Sequence, residues 1–218
     1  PTLIYIYFAL GVPKAHRAPF FGPRHAFVHK DKNGNDVTDT AYFSIPAFAC
    51  KTVNNIPFQS ATLDHHMYVA LFVRPDSIDA LLPVLAQDVR LNRSDYKYAR
   101  FAFFYPGDSA GNAPASAPDF ASDLKLGVDT AFTLFVSRAA FDSLHDNAYF
   151  VKDASRKNDP WKTYSDAVIV DYRGRIRGYY DIRSASELKK LKEDVNFIYF
   201  RDESAETIEN STIEQNRK

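Results

Sequence analysis

The stretch Met67-Tyr-Val-Ala-Leu-Phe-Val73 and the apolar series that follows it, Ile78, Leu81, Leu82, Leu85 and Val89, decide how this chain folds. A continuous apolar run of this length, bounded by His65-His66 and Pro75, marks a strand buried on both faces. The series after it recurs at three- and four-residue intervals, the spacing of one helical face, and Asp76 or Ser77 stands where a first-turn cap belongs. Strand followed at once by helix is the building unit of a parallel sheet with helices on its faces. Pro83 falls inside the helix, where it removes one backbone hydrogen bond at a cost of about 3 kcal/mol unless the fold bends there.

Toward the C-terminus the same alternation continues. Residues 99–105 read as a second strand, 106–118 as a Gly/Ala/Pro/Ser-rich loop and the most mobile segment, and 132–136 as a third strand. Ser137 is placed to cap a helix over 138–147, with Phe141, Leu144 and His145 on one face. Residues 167–170 then run through Asp171-Tyr-Arg-Gly174 into 175–180, a hairpin with glycine at the tight position, and 186–195 form a closing amphipathic helix. Toward the N-terminus, 27–28 and 40–48 flank an Asn33-Gly34 step, a strong short-range hairpin signal. Strand–helix units closed by a hairpin and a helix describe an α/β domain with a mixed, thioredoxin-like sheet and an N-terminal β-hairpin extension.

The domain spans 25–200. Before it, Pro13, Pro19, Gly22 and Pro23 make 13–24 an extended tether whose job is spacing. Residues 3–12 are almost wholly apolar but too short to span a bilayer, so 1–24 read as a membrane-anchor tail or docked arm plus tether. Lys14, His16 and Arg17 suit an anchor that stops at a membrane surface, making 1–17 a candidate membrane contact. After the domain, 201–218 is charged and poor in large apolar residues, and is expected to be flexible.

Composition narrows the function classes. With 27 basic and 27 acidic residues the 218-residue chain has no net charge, and no basic stripe tracks a phosphate backbone, so nucleic acid is not an expected partner. Cys50 is the only cysteine, which excludes an intramolecular disulfide, and no Cys/His grouping has zinc spacing. Cys50 lies between apolar residues in the early hairpin and reads as a small core hydrophobe.

Three blocks resemble the SCO (SenC) family, membrane-tethered thioredoxin-fold proteins that deliver copper to, or reduce thiols in, the copper site of respiratory oxidases. They are Pro19-Phe-Phe-Gly-Pro23 with Asp39-Thr-Ala-Tyr-Phe-Ser-Ile-Pro46-Ala-Phe48, Tyr68-Val-Ala-Leu-Phe-Val73 with its proline-containing helix, and Ala167-Val-Ile-Val-Asp171-Tyr-Arg-Gly174-Arg-Ile-Arg-Gly178-Tyr-Tyr-Asp181. The resemblance covers 19–195 and implies two cysteines and a histidine as copper ligands, a set suited to soft Cu(I). None of the three is present. Superposing the strands puts the cysteine positions on Ser77 and Leu81, whereas matching the proline puts them on Ile78 and Leu82; the histidine position falls at about Thr163, and no histidine follows His145. Without these thiols neither copper delivery by the family's ligands nor thiol–disulfide exchange is open to the chain.

The remaining candidates are few. His65, His66 and Met67 could attract a metal, although neighbours on a strand point to opposite faces. Asp76, Asp79 and Asp171 have simpler roles as caps and turn formers. Arg173, Arg175, Arg177, Tyr179 and Tyr180 alternate along the late hairpin and would present a row of arginines and aromatics to a protein partner; a solvated hairpin face is the competing reading. The expectation is therefore a non-enzymatic domain without cofactor, with no catalytic residues and no metal site. By analogy with the family it would be an accessory subunit among the protein subunits of a membrane complex, respiratory by the same analogy, at the periplasmic face of the bacterial inner membrane. The alternative is a copper-handling or oxidase-assembly factor using ligands outside the family pattern.

Overall fold

In the computed structural model, which describes residues 18–75, 78–91, 93–127, 129–151 and 165–203, the apolar run at 67–73 is the central strand of the fold. It is β5 (Tyr68–Phe72), buried at every position, and it leads into α1 (Ile78–Leu91), with Pro83 inside. Around it a seven-stranded sheet has the order β4-β3-β7-β6-β5-β8-β9, formed by β3 (Ala49–Thr52), β4 (Pro57–Gln59), β6 (Arg100–Pro106), β7 (Ala131–Val136), β8 (Ala167–Val170) and β9 (Ile176–Tyr180). β5, β6 and β7 run parallel, while β8 lies antiparallel beside β5 and β9 antiparallel beside β8. This is the mixed, thioredoxin-like sheet that the alternation of elements predicts. The strands β3 and β4 are additions to that reading: 40–48 holds the end of β2 and an extended connection, and Cys50 lies on β3.

The sheet carries a core on each face, because successive residues of a fully buried strand serve opposite sides. Val69 and Leu71 of β5 join Leu85 and Val89 of α1 and Leu188, Leu191 and Val195 of α4 (Ala185–Phe197). Tyr68, Ala70 and Phe72 face the other way, with Phe104, Leu134 and Phe141 of α3 (Arg138–Ser143). Caps fix the helix starts: the Ser137 hydroxyl accepts from Ala140 N at 3.3 Å, and the Ser184 hydroxyl from Glu187 N at 3.5 Å. α3 is shorter than the sequence suggests, because a π turn over Leu144–Ala148 takes over its second half. A second π turn, Ile198–Glu203, extends α4. The short α2 (Phe120–Asp123) precedes β7.

Two expectations change, and a third, the N-terminal hairpin, is met. The loop over 106–118 is tied down rather than loose: the Asp108 carboxylate accepts from the backbone N–H of Ala110 and Asn112, both at 2.8 Å, and Asn55 Oδ1 accepts from Ala113 N. Residues 18–23 of the tether lie against the domain, with Ala18 buried and Phe21 N donating to Ile176 O at 3.0 Å. The hairpin of β1 (Arg24–Lys30) and β2 (Asp36–Tyr42), turned at Gly34 with φ +82°, forms a separate two-stranded ribbon. The membrane contact expected of 1–17 and the tail over 204–218 lie outside the described residues. Among those described, no helix is long and apolar enough to cross a membrane.

Candidate functional site

β5, β6 and β7 end together, and there the antiparallel β8 begins and β9 finishes, as the pairings Leu71 with Ala167 and Ala167 with Tyr180 show. This upper end is where the family resemblance would put a metal or thiol site. Of the three vestigial positions, Ser77 and Thr163 lie outside the described residues. Leu81 lies on α1, and leucine offers no donor atom, so the donor set at this end does not fit the soft-metal chemistry of two thiolates and an imidazole. What the structure builds here is a carboxylate pair. Asp166 is joined to β5 by the bond from Phe72 N to its carbonyl oxygen at 3.2 Å. Its Oδ2 is buried without a hydrogen-bond partner and lies 3.5 Å from Arg183 Nε. Burial pushes the Asp166 carboxyl up to about 6; the Arg183 charge opposes this, and the neighbouring Asp181 carboxyl adds to it. Asp181 is held below the usual range, chiefly by its hydrogen bonds from Arg183, at 2.9 Å from Nε and 3.1 Å from Nη2. The sequence gives no sign of this cluster, since fifteen positions separate the two aspartates and only the β8–β9 register joins them.

The opposite, lower end is organised by Asp171. Its carboxylate is fully buried and accepts four hydrogen bonds: from the backbone N–H of Arg173 and Arg175 at 3.0 Å each, from Arg175 Nε at 2.8 Å and from Arg177 Nη1 at 3.2 Å. Arg177 is 1% exposed. Besides Asp171 it donates to Ala18 O at 2.7 Å and Pro19 O at 3.3 Å, and its guanidinium sits 4.1 Å from the centre of the Phe20 ring. One side chain thus fastens the incoming chain to the domain, using the planar fork that lysine lacks.

This overturns the docking row expected along the late hairpin. Arg177, Tyr179 and Tyr180 are buried and Arg175 nearly so; only Arg173 is exposed. The cause is cover from both sides. Arg175 and Arg177 both meet Asp171 Oδ2 and the Phe20 ring, and both faces of β9 carry core, with Tyr180 in one cluster and Tyr179 in the other; a β-bulge, where Ile169 pairs with Gly178 and Val170 with Ile176, leaves Arg177 as the extra residue. Tyr180 reaches Asp194 at 2.6 Å, and Tyr179 donates to Tyr149 O at 2.9 Å. The exposed surface lies elsewhere: in Arg173 and His65 at a cleft of about 390 Å³ floored by Tyr68, Phe48 and Leu63, and in the β1–β2 ribbon.

The remaining candidate ligands are not brought together. His65 and His66 are exposed in a turn, His65 with φ +59°, rather than on a strand. Met67 is buried in the core beneath α1, whereas His65 lines the cleft. Burial, with the charges of Arg100 and His65, lowers the His66 pKa. Among the described residues no three His, Cys, Asp or Glu side chains form a group that could hold a metal ion. Cys50 is buried on β3, and burial pushes its thiol up to about 12, away from the reactive range.

No family model matches this chain, and no curated protein matches it in sequence. Solved structures match it in fold. BsSco, a member of the Sco family of cytochrome c oxidase assembly proteins in which a disulfide switch has been identified, is 12% identical, with a TM-score of 0.54 over 73% of this chain and 95% of its own. A SCO1/SenC family lipoprotein from Bacillus anthracis is 14% identical, with a TM-score of 0.51 over 70% of this chain and 93% of its own. The chain shares their thioredoxin-like fold, and with one cysteine it has no intramolecular disulfide to switch.

Proposed function

We propose that this chain is a non-catalytic thioredoxin-fold domain that serves as a structural or accessory subunit of a membrane complex, respiratory by analogy, at the periplasmic face of the bacterial inner membrane. The observation that carries this reading is the contrast in donor chemistry. The end of the sheet where this fold would host thiol or copper chemistry offers Leu81 and an Arg-bound carboxylate pair. The lone thiol lies on another strand and is buried. Neither nucleophile nor resolving partner exists for dithiol exchange. The protein's contribution is then the surface it offers its neighbours.

Two measurements test this. Cu(I) titration of the purified chain should show no stoichiometric site; binding of one equivalent with submicromolar affinity would overturn the scaffold reading in favour of an assembly factor with ligands outside the family pattern. Co-purification from gently solubilised membranes should recover the chain in a large assembly, and recovery only as free monomer would count against a subunit role.

A further inference from the structure

The β1–β2 ribbon is the part of the molecule that the domain itself does not use. Every residue of β1 is exposed, and so are the first five of β2. Both outer edges of the ribbon are unpaired among the described residues. Such a ribbon is marginal on its own, because half of its backbone groups have no strand partner and neither face is covered. Yet it is not left to swing. Its base is locked to the clamped segment, with Phe20 stacked on Tyr42 at 4.2 Å between ring centres and Arg24 donating to Phe20 O. That segment is held in turn by Arg177. The ribbon is therefore presented in a fixed direction.

Its two strands carry opposite charge. β1 holds Arg24, His25, His29 and Lys30, whereas β2 holds Asp36 and Asp39. The apolar exposure is concentrated on β1, where Phe27 is 45% and Val28 63% exposed, on opposite faces. This distribution decides what can pair with it. If two copies joined through β1, Arg24 of each would lie opposite Lys30 of the other; through β2, Asp39 would lie opposite its own copy. Like charges directly across strands destabilise a sheet, so symmetric self-pairing is opposed.

We propose that the free edge of β1 accepts an extended, acidic segment of a partner protein as a third strand. Backbone hydrogen bonds hold the added strand, its carboxylates lie against His25, His29 and Lys30, and its apolar side chains cover Phe27 on one face and Val28 on the other. The proposal rests on the accessory-subunit reading and names its point of contact.

The test uses the purified full chain and immobilised extended peptides of about twelve residues in which Val-Thr pairs alternate with pairs of Glu, of Lys or of Ser, so that each face of an added strand carries both kinds of side chain. The acidic series should bind about tenfold more tightly than the basic one, with the neutral series between. The triple substitution His25→Glu, His29→Glu and Lys30→Gln should reverse the order while leaving the melting temperature unchanged, since all three side chains are exposed and the glutamine sets no like charge opposite Asp36. Hydrogen exchange of the β1 amides should slow only when the preferred peptide is bound. Equal binding of the three series, an order unmoved by the triple substitution, or protection on β2 instead of β1 would overturn the proposal. So would concentration-dependent growth of oligomers in light scattering, which would make a second copy the occupant. If the peptide preference fails while the chain still co-purifies in a large assembly, the contact is wrong and the subunit role stands. If the preference holds and the chain is recovered as a monomer, the reverse is true.

Discussion

The two ends of the central sheet handle buried charge in opposite ways. At the lower end Asp171 accepts four hydrogen bonds, and Arg177 meets one carboxylate and two carbonyl groups. At the upper end Asp166 Oδ2 is buried with no hydrogen-bond partner among the described residues, beside the Asp181 carboxyl and 3.5 Å from a largely exposed arginine. No thiol accompanies it, since Cys50 is the only cysteine and lies on β3. The difference teaches that a shared topology does not transmit function, which follows the side chains at the site.

The sharpest way to break this comparison is Arg177→Met. It leaves the Asp171 carboxylate buried beside a single arginine and frees two carbonyl groups, and removing one partner of a buried pair costs about 3–5 kcal/mol. The midpoint of urea denaturation should fall accordingly, and residues 18–23 should become sensitive to protease. Arg177→Lys keeps the charge but not the fork, so it should fall between the two. A loss below about 1 kcal/mol for Arg177→Met would mean that the lower end is not organised by this pair.

Next comes Gly178→Ala, which probes how β9 joins the two ends. A Cβ at Gly178 would collide with the Tyr180 hydroxyl, so the tyrosine must give up its bond to Asp194 or the strand must shift. Overpacking of this kind costs about 1–3 kcal/mol, and Tyr180→Phe should recover part of the loss in the double variant. Full additivity of the two substitutions would show that the hydroxyl is not the obstacle.

Asp166→Asn acts through pH instead. Because the folded carboxyl takes up its proton near 6 and the unfolded one near 3.8, the folded state is favoured by this group in acid and loses that advantage as pH rises through 6. The wild-type chain should therefore lose stability between about pH 4 and pH 7 at this site, and Asp166→Asn should flatten that part of the profile. Asp181 works in the other direction, since its lowered pKa favours the folded state only above the ordinary carboxylate range. An unchanged slope in Asp166→Asn would place the titration elsewhere.

The fold could be read from the chain because its signals are local: the buried run of β5, the spacing of α1, the Asn33-Gly34 and Asp171–Gly174 turns and the cap at Ser137. The absence of the family's ligands needed only residue identities. What could not be read depends on register. The alternation of Arg173, Arg175 and Arg177 predicts one exposed row, and the chain at 18–20, distant in sequence, covers the last two of them. The carboxylate pair required knowing that Asp166 and Asp181 stand at the same end of adjacent strands, and the strands β3 and β4 are too short to show a period.

The smallest effect separates a thiol that packs from one that reacts. Cys50 lies on β3, which pairs with β7, in the wall of a shallow groove with Phe135 and Val136. Its thiol is pushed up to about 12, where an ordinary one titrates near 9, so at neutral pH the folded protein holds about a thousandfold less thiolate than the unfolded chain. Alkylation by iodoacetamide should slow by a comparable factor on folding and recover in denaturant. Cys50→Ala should cost about 1 kcal/mol or less, because it removes one atom from a site that already borders a groove. It should leave the pH profile governed by Asp166 untouched. Fast alkylation of the native chain would show that this strand opens readily, and would move the search for chemistry from the ends of the sheet to its β3–β4 side.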